Sequence, residues 1–132
     1  MNASFAYLDA SAAVKLILDE KESDALRTWL GGWPRRLSSE LLTIELTRAI
    51  RRESPNRVAL LDRVFAQLFL RPIADEVVIL SGLVEPSRLK TLDAIHLATA
   101  IMVRESVGRF VTYDSRLAEA ATGLGLPVAS PA

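Results

Sequence analysis

The stretch FAYLDAS, residues 5–11, decides the fold. Phe5-Ala6-Tyr7-Leu8 is a short apolar run that ends on a charge, Asp9. Such a run reads as a buried first strand. Asp9-Ala10-Ser11 then offers N-cap chemistry for a helix through Val14, Leu16, Ile17 and Leu18. A strand passing straight into a helix begins an α/β unit, and the same alternation continues along the chain.

A second amphipathic helix pairs Ala25 with Trp29 and Leu26 with Leu30, and Gly31-Gly32 and Pro34 stop it. Arg35 to Ser38 reads as a second strand. Ser38 or Ser39 caps a long helix through Leu41, Leu42, Leu46, Ala49 and Ile50. Ser54-Pro55-Asn56 breaks that pattern before a helix carrying Val58, Leu61, Val64, Phe65 and Leu68. Leu70 to Ile73 is expected as a third strand, weakened by Pro72, and Val77 to Val84 as a helix. Thr91 caps a helix that is apolar nearly all round, from Leu92 to Val103, and so buried on most sides. Gly108 precedes a strand at Phe110-Val111-Thr112, Asp114 opens a helix, and Pro127-Val128-Ala129 is a last short strand. Strands alternating with helices imply a parallel α/β sheet. The 132 residues contain no repeat, low-complexity segment or linker, so one domain over 1–132 is expected.

Composition narrows the chemistry. Half of the residues are hydrophobic, and Lys+Arg balance Asp+Glu at 16 each. Zero net charge argues against coating nucleic acid by bulk electrostatics, though it allows a local basic patch. With no cysteine and one histidine, thiolate zinc sites, cysteine nucleophiles and multi-histidine sites are excluded. A metal would be held by oxygen, which points to Mg²⁺ or Mn²⁺. There is no signal-peptide pattern and no apolar run near the ~20 residues that span a bilayer, so a cytoplasmic protein without membrane contact is expected.

Four carboxylates stand where a purely structural protein would place oil. Asp9 and Asp114 lie just past the carboxyl ends of expected parallel strands, the edge where open α/β sheets bind ligands. Glu45 falls on the apolar stripe of its helix, between Leu41 and Ala49. Asp93 sits in the first turn of the most apolar helix. Clustered carboxylates raise one another's pKa, and a divalent ion relieves both the repulsion and the burial. Each acid also has a structural reading. Asp9 and Asp114 could be helix caps, Asp93 could be held by its helix dipole, and Glu45 could reach an arginine at the surface. His96, one turn after Asp93, reads as a hydrogen-bonded structural histidine and is set apart from the catalytic set.

YLDASAAVKL (7–16), SSELLTIELTRAI (38–50), TLDAIHLATA (91–100) and FVTYDSRLAEAA (110–121) resemble, in content and order, the motifs of PIN-domain toxins of VapC type. With GLGLPVASP (123–131) they span nearly the whole chain. The resemblance implies that Asp9, Glu45, Asp93 and Asp114 are the metal-binding acids, with Ser11 and Thr112 orienting the first and last. It implies a five-stranded parallel sheet in order 3-2-1-4-5 with helices on both sides. It also implies RNA as substrate, a homodimer, and a VapB-type antitoxin as partner. Metal-assisted phosphodiester hydrolysis then follows, with Lys15, Arg48 and Arg116, close in sequence to the acids, as phosphate contacts. The antitoxin is expected across the apolar surface near Trp29, Leu30 and Trp33.

Two other functions fit part of the pattern. One is a non-catalytic PIN-like module that only docks a partner, which the presence of all four acids opposes. The other is an Asp-based phosphotransfer domain. That reading wants a second Asp at position 11, where Ser stands, or adjacent acids before the phosphorylated Asp, which are missing.

Overall fold

The computed structural model describes residues 3–132. Its centre is β1 (Phe5–Leu8), flanked by β2 (Arg35–Ser39) and β4 (Val107–Val111). β3 (Phe69–Arg71) pairs outside β2, and β5 (Val128–Ala129) outside β4. All four pairings are parallel, and the order is 3-2-1-4-5. The chain builds one half outward from β1 and then returns to β1's other side, so the order reverses between β1 and β4. At such a reversal the crevice past the strand ends opens to a ligand.

β1 is buried on both faces because helices cover both. Ala6 and Leu8 pack with Ala12, Leu26, Leu30 and Val111, beneath α1 (Ala10–Ala13) and α2 (Ser23–Leu30). Tyr7 points the other way, as the two-residue strand period requires. It stacks on Phe110 at 5.0 Å between ring centres, in a cluster with Leu97 and Leu117 from α6 (Thr91–Met102) and α7 (Ser115–Gly123). A third cluster joins Ala13 and Ile17 to Leu42, Leu46 and Ile50 of α3 (Leu41–Glu53) and Leu61 and Val64 of α4 (Leu61–Ala66). α5 (Asp75–Ser81) packs on α6.

Several element bounds differ from the sequence pattern. α1 lasts only four residues and tightens into a 3₁₀ turn over Val14–Leu16. β3 ends at Arg71 because Pro72 cannot donate to the ladder. α5 starts at Asp75 and ends at Ser81, two residues earlier at its start than the apolar pattern suggests. Lys90, not Thr91, is the N-cap of α6, and Thr91 is its first residue.

β4 begins at Val107 and runs through Gly108. The glycine is needed for a close approach: a Cβ at Gly108 would lie 2.2 Å from the Ala3 carbonyl oxygen and 2.6 Å from the Trp33 ring. The Trp33 indole lies over this bare backbone and stacks on Trp29 at 5.2 Å. Leu30 is buried in the core, while Trp29 and Trp33 are half-buried and pack against it. Gly108→Ala should therefore destabilise by about 1–3 kcal/mol, the usual cost of overpacking. Gly123→Ala, where a Cβ meets nothing within 4 Å, should not destabilise. Urea unfolding of the two variants measures the contrast; equal midpoints would show that Gly108 is not a packing requirement.

Candidate metal centre

Asp9 follows β1 directly and is 3 % exposed. It caps α1, with Oδ1 accepting from the Ala12 amide at 2.9 Å. The Thr112 hydroxyl donates to Oδ2 at 2.6 Å, and the Ser11 hydroxyl lies 2.7 and 2.9 Å from the two oxygens. Burial raises the carboxyl's pKa, and the bonds from Thr112 and Ser11 only partly oppose it. Ser11 in turn accepts from the Tyr113 amide at 2.8 Å.

Thr112 connects this acid to the next. While donating to Asp9, it accepts from the Asp114 amide at 3.1 Å. Asp114 caps α7: its Oδ1 accepts from the amides of Arg116 and Leu117 at 2.9 and 3.0 Å. Its Oδ2 has no hydrogen-bond partner among the described residues.

Asp93, in the first turn of α6, is half-buried and has no hydrogen bond or ion pair among the described residues. Its pKa is raised first by desolvation, then by the charges of Asp114 and Asp9, with a smaller contribution from Glu45. Asp93 thus lies within electrostatic reach of the other three acids, although the four come from separate elements. Glu45, midway along α3, accepts at Oε1 from His96 Nε2 at 2.5 Å. His96 is 1 % exposed, and its Nδ1 lies 2.7 Å from the Tyr7 hydroxyl. Burial drives the Tyr7 phenol's pKa far up, so it stays neutral.

The Tyr7–His96–Glu45 chain is the part that the sequence pattern did not show. A tyrosine in an otherwise apolar strand, two residues before Asp9, was the available signal, because a buried phenol needs a partner. Of the three basic residues near the acids in sequence, only Arg116 lines their cleft. Lys15 is buried and paired with Glu22 at 2.7 Å and Glu20 at 3.1 Å, over the Tyr113 ring. Arg48 is exposed on α3. The cleft, about 520 Å³ in volume, is lined by Asp93 and Asp114 and by three cations: Arg88, Lys90 and Arg116.

Among the described residues, no three His, Asp or Glu side chains close on one point as a ready ligand set. Mg²⁺ keeps several waters and takes one or two carboxylates directly. An unpaired, half-buried Asp93 beside an open Asp114 oxygen fits that kind of hydrated ion.

A PIN-domain family model matches residues 6–123. Two Mycobacterium tuberculosis proteins align over nearly their whole length. Ribonuclease VapC46 is 43 % identical over 125 residues, covering 95 % of this chain and 96 % of that one. Ribonuclease VapC35 is 45 % identical over 131 residues with the same coverage. Two solved structures share the fold at lower identity. The VapBC2 structure from Rickettsia felis, bound to a promoter DNA fragment, superposes with a TM-score of 0.76 at 14 % identity, covering 97 % of this chain and 99 % of that one. Mycobacterium tuberculosis VapC20, a toxin that cleaves the sarcin-ricin loop, superposes at 0.72 and 15 %, covering 96 % and 99 %.

The raised pKa of Asp93 sets the sign of a stability effect. Without metal, the folded state binds this proton more tightly than the unfolded state. Stability is therefore lost as pH rises from the ordinary Asp range through the raised value. Metal-free Asp93→Asn should melt at or above the parent at neutral pH, and the difference should vanish in acid, where Asp93 is protonated in both states. Thermal melting in a chelator across pH checks this; a variant melting well below the parent at neutral pH would contradict it.

Proposed function

This chain belongs to the PIN-domain family, and from that premise we propose that it is the ribonuclease toxin of a toxin–antitoxin pair, hydrolysing RNA at a Mg²⁺ or Mn²⁺ centre. The observation that carries the proposal is Asp93, without a hydrogen bond or ion pair among the described residues, facing Asp114 in one cleft, with Asp9 and Glu45 near enough for their charges to act on it. Near-full-length identity to proteins named as VapC ribonucleases supports it. The whole chain then acts as one nuclease domain.

In this mechanism Asp9, Asp93 and Asp114 would hold the ion, and Glu45 would bind it directly or through water. Such an ion, when bound, polarises the scissile phosphate and eases deprotonation of the attacking water. Ser11 and Thr112 fix the plane of the Asp9 carboxylate, and Thr112 fixes the backbone that presents Asp114. His96 fixes Glu45. Arg116 holds a phosphate oxygen beside the acids. Asp93 has no donor among the described residues competing for its oxygens, which leaves them open to the ion or its waters. The products are a 5′-phosphate and a 3′-hydroxyl.

A protein partner is part of the proposal: a VapB-type antitoxin, with the toxin itself a homodimer in the cytoplasm. Val78, Ile79 and Leu83, on and just after α5, are more than half exposed, as is Phe69 on edge strand β3. That is apolar area suited to protein contact. No helix among the described residues is long and apolar enough to cross a membrane.

Cleavage should stop in a chelator and return with Mg²⁺ or Mn²⁺. Ser11→Ala and Thr112→Val should cost about 10–100-fold, the usual range for residues that orient metal ligands. Asp9→Asn and Asp114→Asn should cost more, because an amide is a poor Mg²⁺ ligand. RNA cleavage with 5′-end mapping measures all of these. Undiminished activity in a chelator would overturn the mechanism.

A further inference from the structure

The acidic cleft shares a wall with a larger cavity that the reaction does not explain. This second cavity, about 760 Å³, shares Arg88, Leu89 and Arg116 with the cleft. It extends away from the acids, between the loop before α6 and the second half of α7. Its apolar lining comes from Pro86, Leu89, Ala120 and Leu124, and two carboxylates, Glu85 and Glu119, border it. Among the described residues, none of Arg88, Lys90 and Arg116 is ion-paired with a carboxylate.

We propose that the second cavity is a subsite for one unstacked nucleoside of single-stranded RNA, next to the scissile phosphate, with Arg88 and Arg116 gripping the phosphate at the junction. This rests on the nuclease reading and adds where the substrate runs. Charge divides the two spaces. Acids that hold a metal and cations that hold phosphate oxygens share the cleft, which suits a metal-bound phosphodiester. Unpaired cations at the junction position the backbone. Beyond them the apolar walls suit a ribose and base, and the volume is that of an ordinary ligand pocket. Glu85 and Glu119 would repel a further phosphate there. They would instead accept hydrogen bonds from an exocyclic amine. A base enters such a pocket only when splayed out of its stack, so the strand is single at that point.

Gly123 allows a clean test. It lines the cavity, a Cβ there meets nothing within 4 Å, and its φ is not in the left-handed region. Gly123→Trp therefore starts a bulky side chain from an open position at the cavity wall, and an unchanged melting temperature verifies that the fold accepts it. Two measurements are made: binding of a fluorescent single-stranded RNA in chelator, and Mn²⁺-supported cleavage of oligonucleotides abasic at single positions flanking the cut.

The parent should lose roughly tenfold in kcat/KM when the base on one side of the cut is removed, the size of a lost base contact. Gly123→Trp should bind the intact strand roughly tenfold more weakly and cleave intact and abasic strands alike. Arg88→Ala should weaken binding and flatten its salt dependence. The proposal is overturned if folded Gly123→Trp binds and cleaves as the parent does, or if base removal on either side of the cut has no effect. It is also overturned if the variant loses only a protein partner, which would assign the cavity to a peptide. A parent that cleaves no RNA, while Gly123→Trp still weakens RNA binding, would overturn the nuclease reading and support the RNA groove.

Discussion

The Asp9 carboxylate has to be buried at the end of the central strand and still be satisfied, and much of the structure follows from that constraint. An ionisable group in the interior is costly unless its lone pairs meet donors. Three donors meet them: the Ala12 amide and Ser11 hydroxyl from the α1 turn, and the Thr112 hydroxyl just past β4. The Thr112 donor arrives because β4 pairs with β1 and the Asp9 amide extends that pairing to the Val111 carbonyl. The same bonds cap α1, and through Thr112 they set the backbone from which Asp114 caps α7. Capping and site-building are therefore not competing accounts of these two acids. The cap orients the carboxylate, and an oxygen left over, as at Asp114, stays available to an ion.

A second buried polar chain carries the other side of the site. Tyr7 lies on the central strand, His96 on the most apolar helix and Glu45 on α3, and two hydrogen bonds join them. Buried polar groups are tolerated when every member has a partner, and a satisfied network specifies one arrangement of the elements that contribute to it. Here it ties β1, α6 and α3 together and directs Glu45 toward the acids. Asp93 differs from all of them. It has no hydrogen bond or ion pair among the described residues, and burial and the neighbouring acids raise its pKa. That imbalance distinguishes the group from a set of structural salt bridges.

The sequence pattern revealed the alternation of strands and helices because each element carries its own period, and the four acids stood out against apolar surroundings. The limits of the pattern are non-local. Nothing near Gly108 announces that Trp33, 75 positions earlier, will lie on its backbone and let β4 begin early. Lys15 is close to the acids in sequence, yet Glu20 and Glu22 hold it, because the 3₁₀ turn after α1 aims it at the turn that follows. Arg88 and Lys90 stand five and three residues before Asp93, so their nearness was open to a sequence reading, but they lie in a loop with no motif to single them out. Of Trp29, Leu30 and Trp33, Leu30 is buried and the two tryptophans are half-buried and stacked on each other, while the most open apolar side chains include those on α5 and β3.

The central claim is that the four carboxylates are one metal centre. Diffraction from crystals soaked in Mn²⁺, with an anomalous difference map, tests it most directly. The account predicts one or two anomalous peaks in the crevice, within ligand or water-bridged distance of Asp9, Asp93 and Asp114. A map without a peak there at saturating Mn²⁺, or with Mn²⁺ only on surface carboxylates such as Asp19 and Glu20, would contradict it.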